Sequence, residues 1–205
     1  EGPGGQMTNA KEAQMIVKAD ANSLMDQVKS ASKKGPPPVH LWNPPFCGDM
    51  DMRIARDGTW FHEGSPIGRM PLVKLFSSII RKDGDQYFLV TPVEKVGIRV
   101  VDAPFLATDF RAEGQGRDQR LTFVTHVDDE AGAGPDHPIR VVRDPVSGEP
   151  SPYVLIRTNL EALIDRKSFY RLIDLCVHEE HQGERWFGLW SGGCFFPIIP
   201  SAELP

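Results

Sequence analysis

Cysteine is scarce in this chain. Its 205 residues hold three, Cys47, Cys176 and Cys194, an odd number with no close spacing, which argues against a disulfide framework or a cysteine-based zinc site and points to reduced thiols. Long apolar runs are missing as well, since none approaches the roughly 20 residues of a membrane-spanning helix. The opening residues Glu1 to Gln6 lack the basic start and apolar centre of a secretory signal and read as either a cloning remnant or a ragged leader. A soluble, cytoplasmic protein is expected. Positive charge is not in excess, because 23 Lys and Arg against 28 Asp and Glu leave a net charge of -5. Such a chain is repelled by nucleic acid polymers and anionic membranes, although a local arginine cluster can still hold a small anion. No Gly-x-Ser-x-Gly elbow, phosphate loop or dinucleotide fingerprint occurs, so no catalytic residue, resident metal or cofactor is assigned.

What is present is an ordinary globular composition, 40% hydrophobic and 25% charged, on a chain long enough to bury a real core. Asn9 to about Lys29 favour a helix, with Met15, Ile16, Ala19, Leu24, Met25 and Val28 as an apolar face that must lie on the body or on a partner. Ser30 to Pro38, with Lys33-Lys34-Gly35 and three prolines, read as a stiff extended linker. Residues 1–38 are therefore set apart from a first α+β unit over 39–103 and a second over 104–205.

Those two units look alike. In the first, Thr59-Trp60-Phe61-His62 predicts a strand, Gly64-Ser65-Pro66 a turn, and Met70 to Arg81 a helix. In the second, Tyr153 to Thr158 predicts a strand, and Asp165 caps a helix from Arg166 to about Glu180. Leu72, Val73, Leu75, Phe76, Ile79 and Ile80 then fall opposite Phe169, Tyr170, Leu172, Ile173, Cys176 and Val177, and each helix is followed by a polar turn and an aromatic strand. Any two amphipathic helices align on their buried faces, but the shared order argues for a duplicated strand-helix-strand core. The second unit has further strands at Leu121–Val127 and Ile139–Arg143, which suggest a curved sheet or partial barrel closed by a helix. Between them, Asp128 to Asp136 reads as an exposed, mobile loop.

Chemistry-bearing residues concentrate in the first unit. Asp49, Asp51 and Arg53 alternate with Met50, Met52 and Ile54, so on a strand the charges share one face. That face is either salt-bridged or, with Asp49 and Asp51 on a magnesium ion, the site of a metal-dependent phosphohydrolase. His178-Glu179-Glu180-His181 places two imidazoles at a helix end, one residue short of the zinc-hydrolase spacing. The cations Arg53, Arg69, Lys74, Lys95 and Arg99 are the better lead, with Arg69 opening a helix whose unpaired N–H groups favour an anion. Trp42, Trp60 and Trp186 offer flat surfaces for stacking a base. Together with Asp51, these first-unit residues are the expected binding set for a small phosphorylated ligand.

The blocks Leu41-Trp42-Asn43-Pro44, Gly48 to Ile54, Asp57-Gly58-Thr59-Trp60, Gly64 to Arg69 and Leu89 to Lys95 resemble the uncharacterised bacterial family called domain of unknown function 1285, over about Pro37 to Pro200. The resemblance implies a duplicated core and a second domain superficially like pleckstrin-homology folds. It also implies a nucleotide-like ligand at the domain interface and a role in signalling, with no catalytic residue to carry over. The expected function is a non-catalytic ligand-binding or regulatory protein. The alternatives are the Asp49/Asp51 phosphohydrolase and a protein-interaction adaptor that docks a protein partner or a second copy.

Overall fold

From Phe46 onward, short runs of alternating apolar and polar residues are broken by Gly, Pro, Asn and Asp, a pattern that builds twisted sheets with tight turns. The computed structural model describes residues 21–31 and 35–205. Helix α1 (Ala21–Ala31) is followed by β1 (Phe46–Ile54), β2 (Trp60–His62), β3 (Ser65–Pro66), helix α2 (Met70–Ser77), β4 (Ile80–Asp83), β5 (Gln86–Val90) and β6 (Lys95–Val100). The chain continues with β7 (Phe105–Glu113), β8 (Arg120–Thr125), β9 (Glu130–Gly132), β10 (Ile139–Arg143), β11 (Pro150–Arg157) and β12 (Leu160–Ile164). Helix α3 (Arg166–Ile173), β13 (Val177–His181), β14 (Glu184–Ser191) and β15 (Cys194–Pro200) complete it. No helix among the described residues is long and apolar enough to cross a membrane.

The fold is α+β, built on mixed sheets. One six-stranded sheet has the order β3-β2-β1-β6-β5-β4 and a second the order β10-β11-β12-β7-β8-β9, while β13-β14-β15 form a third. Each large sheet has one parallel pair, β1 with β6 and β12 with β7, among otherwise antiparallel neighbours. The second sheet curls, bringing β9 at one edge towards β11 near the other. A single buried cluster runs from Leu24 and Val28 of α1 through Trp60 and Phe76 to Phe123, Leu172 and Phe196. The two halves therefore share one core.

Helix α1 packs on the body as its apolar spacing requires. Leu24 and Val28 are fully buried, and Gln27 accepts a 2.6 Å hydrogen bond from the Thr91 hydroxyl. The expected stretch before Ala21 and part of the expected linker, residues 32–34, lie outside the described residues. After them comes a single 3-10 turn, Val39–Leu41. The Arg81 guanidinium holds it by donating to the carbonyls of Val39 at 2.8 Å and Trp42 at 2.7 Å.

The order of one eight-residue helix and then a three-stranded antiparallel meander occurs twice, as α2 with β4-β5-β6 and as α3 with β13-β14-β15. Both helices are shorter than their periodicity predicts. Helix α2 stops at Ser77, where the Ser77 and Ser78 hydroxyls donate back to the Lys74 and Leu75 carbonyls and end the ladder. Helix α3 stops at Ile173, with the Leu175 and Cys176 N–H groups turned back onto Leu172 and Ile173. Cys176 thus follows the helix instead of lying on it, half-buried against the core, and burial pushes its thiol up to about 12. The acidic stretch after β8 is also more ordered than expected: β9 pairs with β8, and Ala131 and Ala133 are buried. Small side chains there let a strand lie close over the curled sheet, so smallness reports packing and not mobility.

One half-buried arginine bolts the halves together. From the end of β11, Arg157 donates to the Ser77 carbonyl at the last turn of α2, and its guanidinium lies 5.0 Å from the Phe105 ring centroid. A cation at a helix C-terminus is favourable, and Asp129 at 4.0 Å offsets its charge. Arg157→Met keeps the bulk but leaves that carbonyl unpaired, with an expected loss of about 1–3 kcal/mol read from the urea midpoint. An unchanged midpoint would show that the bolt contributes nothing.

A cleft between the halves as the candidate functional site

Strand β1 carries its charges on one face, with Met50, Met52 and Ile54 buried on the other. On the charged face Arg99 pairs with Asp51 at 3.2 Å, and the Arg53 guanidinium lies 4.2 Å from the Phe61 ring centroid. Lys95 pairs with Asp83 at 2.8 Å and sits 4.1 Å from the Phe88 ring centroid. These contacts surround a shallow depression of about 770 Å³ on the outer face of the first sheet, walled by Phe46, Asp49, Tyr87, Phe88 and Arg99. Of the nominated residues Asp51 and Arg99 line it and are paired with each other, while Lys95 beside it is taken by Asp83 and Arg53 by the Phe61 ring. No group of three His, Cys, Asp or Glu side chains is placed to hold a metal among the described residues.

The other four nominated residues scatter. Trp60 is 1% exposed and stacked on Phe76 with ring centroids 6.2 Å apart, so it belongs to the core and offers no surface to a ligand. Trp42 packs half-buried against the same core. Arg69 stands exposed at the start of α2. Lys74 pairs with Asp128 of the second half. The His178–His181 segment is strand β13, not a helix end. Residues three apart on a strand face opposite ways, and the two imidazoles pack on different rings, His178 on Phe187 and His181 on Phe195. They cannot share a metal.

A second cavity, of about 580 Å³, opens at the seam between the halves, lined by Arg56 on one side and by Ser151, Leu163, Arg166, Phe169 and Tyr170 on the other. Arg56 is presented by the β1–β2 hairpin tip. That tip is closed by Ala55 N–H to the Thr59 carbonyl at 2.8 Å and Gly58 N–H to the Ala55 carbonyl at 3.0 Å. Asp57 accepts from Thr59 N–H at 3.0 Å, and this bond holds its carboxyl below the usual range. Arg56 reaches Asp102 at 3.3 Å and donates to the Ser151 hydroxyl at 3.2 Å. Asp102 also accepts from the Tyr153 hydroxyl at 2.6 Å, and burial together with that carboxylate pushes the phenol up to about 12.

The opposite wall is the start of α3. Asp165 caps the helix by accepting from Ser168 N–H at 2.8 Å, and the next residue, Arg166, pairs with Glu149 at 2.9 Å. Tyr170, 61% exposed, presents its ring beside them. Asp144 accepts from the N–H groups of Val146 and Ser147, both at 2.8 Å, which hold its carboxyl low and fix the loop at the rim. Two guanidinium groups from different halves therefore face one space next to an exposed aromatic. The Arg166–Glu149 pair is largely solvated, and such pairs contribute at most about 1 kcal/mol.

Sequence reasoning missed Arg56, Ser151, Arg166 and Tyr170. The available signals were the turn Ala55-Arg56-Asp57-Gly58, which puts an arginine at a hairpin tip, and Asp165-Arg166, which puts another at the first position of a helix.

Comparison with known proteins agrees with this two-part construction. Residues 37–103 match the family model "Domain of unknown function (DUF1285), N-terminal domain", and residues 104–198 match "Protein of unknown function (DUF1285), C-terminal domain". The crystal structure of a DUF1285 family protein from Silicibacter pomeroyi DSS-3 is 61% identical, covers 88% of this chain and 96% of its own, and superposes with a TM-score of 0.79. A second, from Shewanella baltica OS155, is 28% identical over 60% of this chain and 90% of its own, with a TM-score of 0.48. No curated protein matches the chain. With both family models matched in order across residues 37–198, the chain belongs to the DUF1285 family.

Proposed function

We propose that this is a non-catalytic ligand-binding or regulatory protein that takes a small phosphorylated, nucleotide-like ligand in the cleft between its halves, in a cytoplasmic signalling role. The observation that supports the reading is the convergence of Arg56 from the first half and Arg166 from the second on one cavity with an exposed tyrosine ring beside it. The guanidinium groups suit phosphate oxygens and the α3 N-terminus adds favourable potential, while Tyr170 suits a base. In this reading the repeated helix and meander reflect duplication, and the curled sheet closed by α3 has a superficial pleckstrin-homology likeness.

Titration of ATP, ADP and inorganic pyrophosphate by calorimetry tests it. Arg56→Ala and Arg166→Ala are each expected to weaken binding about tenfold or more, equivalent to roughly 1.4 kcal/mol, whereas Arg53→Ala on the outer sheet face leaves it unchanged. The reading fails if none of the three compounds binds, and it is misplaced if the Arg53 variant loses binding instead.

A further inference from the structure

His126 lies where the halves meet, in the turn after β8. Its backbone N–H donates to the Leu106 carbonyl at 2.9 Å, and the Leu106 N–H donates in return to its Nδ1 at 3.3 Å. Nδ1 must therefore be unprotonated, and the hydrogen of the neutral ring is on Nε2. That second nitrogen is buried, has no hydrogen-bond partner, and points at the β1–β2 hairpin tip. There it meets Gly58, where even a methyl group would come within 3.1 Å of Nε2 and where φ is +86°. Only glycine lets the tip sit this close to the imidazole. Gly58 is two residues from Arg56, in the same hydrogen-bonded turn, so the imidazole forms the seat of the loop that carries Arg56 into the cleft.

We propose that His126 is a positioning residue for the cleft: its neutral imidazole seats the hairpin tip that aims Arg56, and protonation unseats it. This inference rests on the cleft reading above. A proton on Nδ1 sets two N–H groups against each other and removes the Leu106 bond, although the Gly58 backbone beside Nε2 favours the charged ring. The charged groups around the ring are few. Asp57 on the tip and Asp129 in the β8–β9 turn favour the imidazolium, but Asp57 is engaged with Thr59, and Asp129 faces Arg157. The neighbouring Asp128 is taken by Lys74. Burial outweighs the backbone contacts of Leu106 and Gly58 and both carboxylates, and holds His126 below the ordinary imidazole range. The unfolded chain then takes up the proton first. The stability contributed by the neutral ring is complete above about pH 6.5 and falls as pH drops below that towards the folded-state value.

The test is an NMR titration of the whole chain from about pH 7.5 downward, following the His126 ring and the backbone amides, paired with pyrophosphate binding at the two ends of the range. In the wild type the Gly58, Arg56 and Leu106 amides are expected to shift together with the ring, at a midpoint below about 6.5, and pyrophosphate affinity to fall more than tenfold. His126→Asn keeps an acceptor oxygen near the place of Nδ1 but cannot be protonated. It is expected to hold the tip amides flat and to restrict the affinity change to less than threefold, the titration of pyrophosphate itself being common to both proteins. If the ring titrates while the tip amides stay still, or if the Asn variant keeps the wild-type pH dependence, the proposal is overturned. Absence of pyrophosphate binding to either protein at any pH would sink the cleft reading alone, and the tip amides would still decide the role of His126.

Discussion

Replacing Phe76 with alanine is expected to lower the unfolding free energy by about 3–5 kcal/mol. Phe76 is fully buried under α2 and stacks on Trp60, itself 1% exposed. Both rings sit inside the cluster that unites the halves, so the vacated space is walled by residues already committed to other contacts and closes only in part. The partner position in the second helix is Ile173, which is only half-buried. Its replacement by alanine costs less, about 1–2 kcal/mol, because water already reaches part of the side chain. Urea unfolding of the two variants, with the slope checked for constancy, measures the contrast. Equal losses would mean that the two helices are packed alike. The apolar alignment of the two sequences would then extend to burial, which the structure denies elsewhere: Val73 is 4% exposed, and its counterpart Tyr170 is 61% exposed.

The β architecture was legible where alternation and turn residues agree. Asp49, Asp51 and Arg53 do share a face of β1, and Ile139–Arg143 is a strand with the bounds its pattern predicts. Helix ends were not legible. Nothing in Arg171 to His178 is a glycine or proline, so the 3.6-residue period runs on through Cys176 and Val177 although the backbone has already turned. Local hydroxyl and turn hydrogen bonds end these helices, and such bonds leave little trace in hydrophobic spacing. That error propagated, because placing His178 and His181 on a helix gave them a common face that a strand denies.

The candidate site was read from charge, and charge alone does not reveal which cations are already satisfied. Arg53, Lys95 and Arg99 looked available because their partners are distant in sequence: Asp51 and Arg99 are brought together by the parallel β1–β6 pair, and Arg53 meets Phe61 across the β1–β2 hairpin. The cleft depends on a longer-range fact. Arg56 meets Ser151 only because the hairpin tip of the first half reaches the start of β11 in the second. No local pattern encodes that meeting. The same tip rests on His126, a histidine that sequence reasoning passed over because nothing near it in the chain suggested a role.

Gly188→Ala is expected to cost about 3 kcal/mol or more, at the upper end of what overpacking does. Gly188 lies between β13 and β15, paired with Val177 on one side and Pro197 on the other, at a bulge in the β14–β15 ladder. A methyl group there would stand 2.3 Å from the Phe196 carbonyl oxygen and 2.9 Å from the Pro197 Cα, both backbone atoms fixed by the sheet. Gly97 provides the control. Its added methyl would come within 2.1 Å of Asp49 Oδ1, an even shorter approach, but to the tip of a rotatable, partly exposed side chain. Gly97→Ala is therefore expected to cost less than about 1 kcal/mol once Asp49 turns aside. If stability tracks the raw distances and the Gly97 variant is the weaker protein, mobility of the obstructing atom is the wrong criterion. The strain at Gly188 should also spread. The end of β14 is anchored to the second sheet by Gln119 donating to the Trp190 carbonyl at 2.9 Å. Ser191 extends that anchor, accepting from Leu121 N–H at 2.9 Å and donating to the Ala133 carbonyl at 2.8 Å. Displaced β14–β15 pairing pulls on those bonds. Amide exchange at Leu121, and at Gly192 whose N–H donates to the Gln119 carbonyl at 3.2 Å, is thus expected to accelerate in Gly188→Ala and to stay at the wild-type rate in Gly97→Ala.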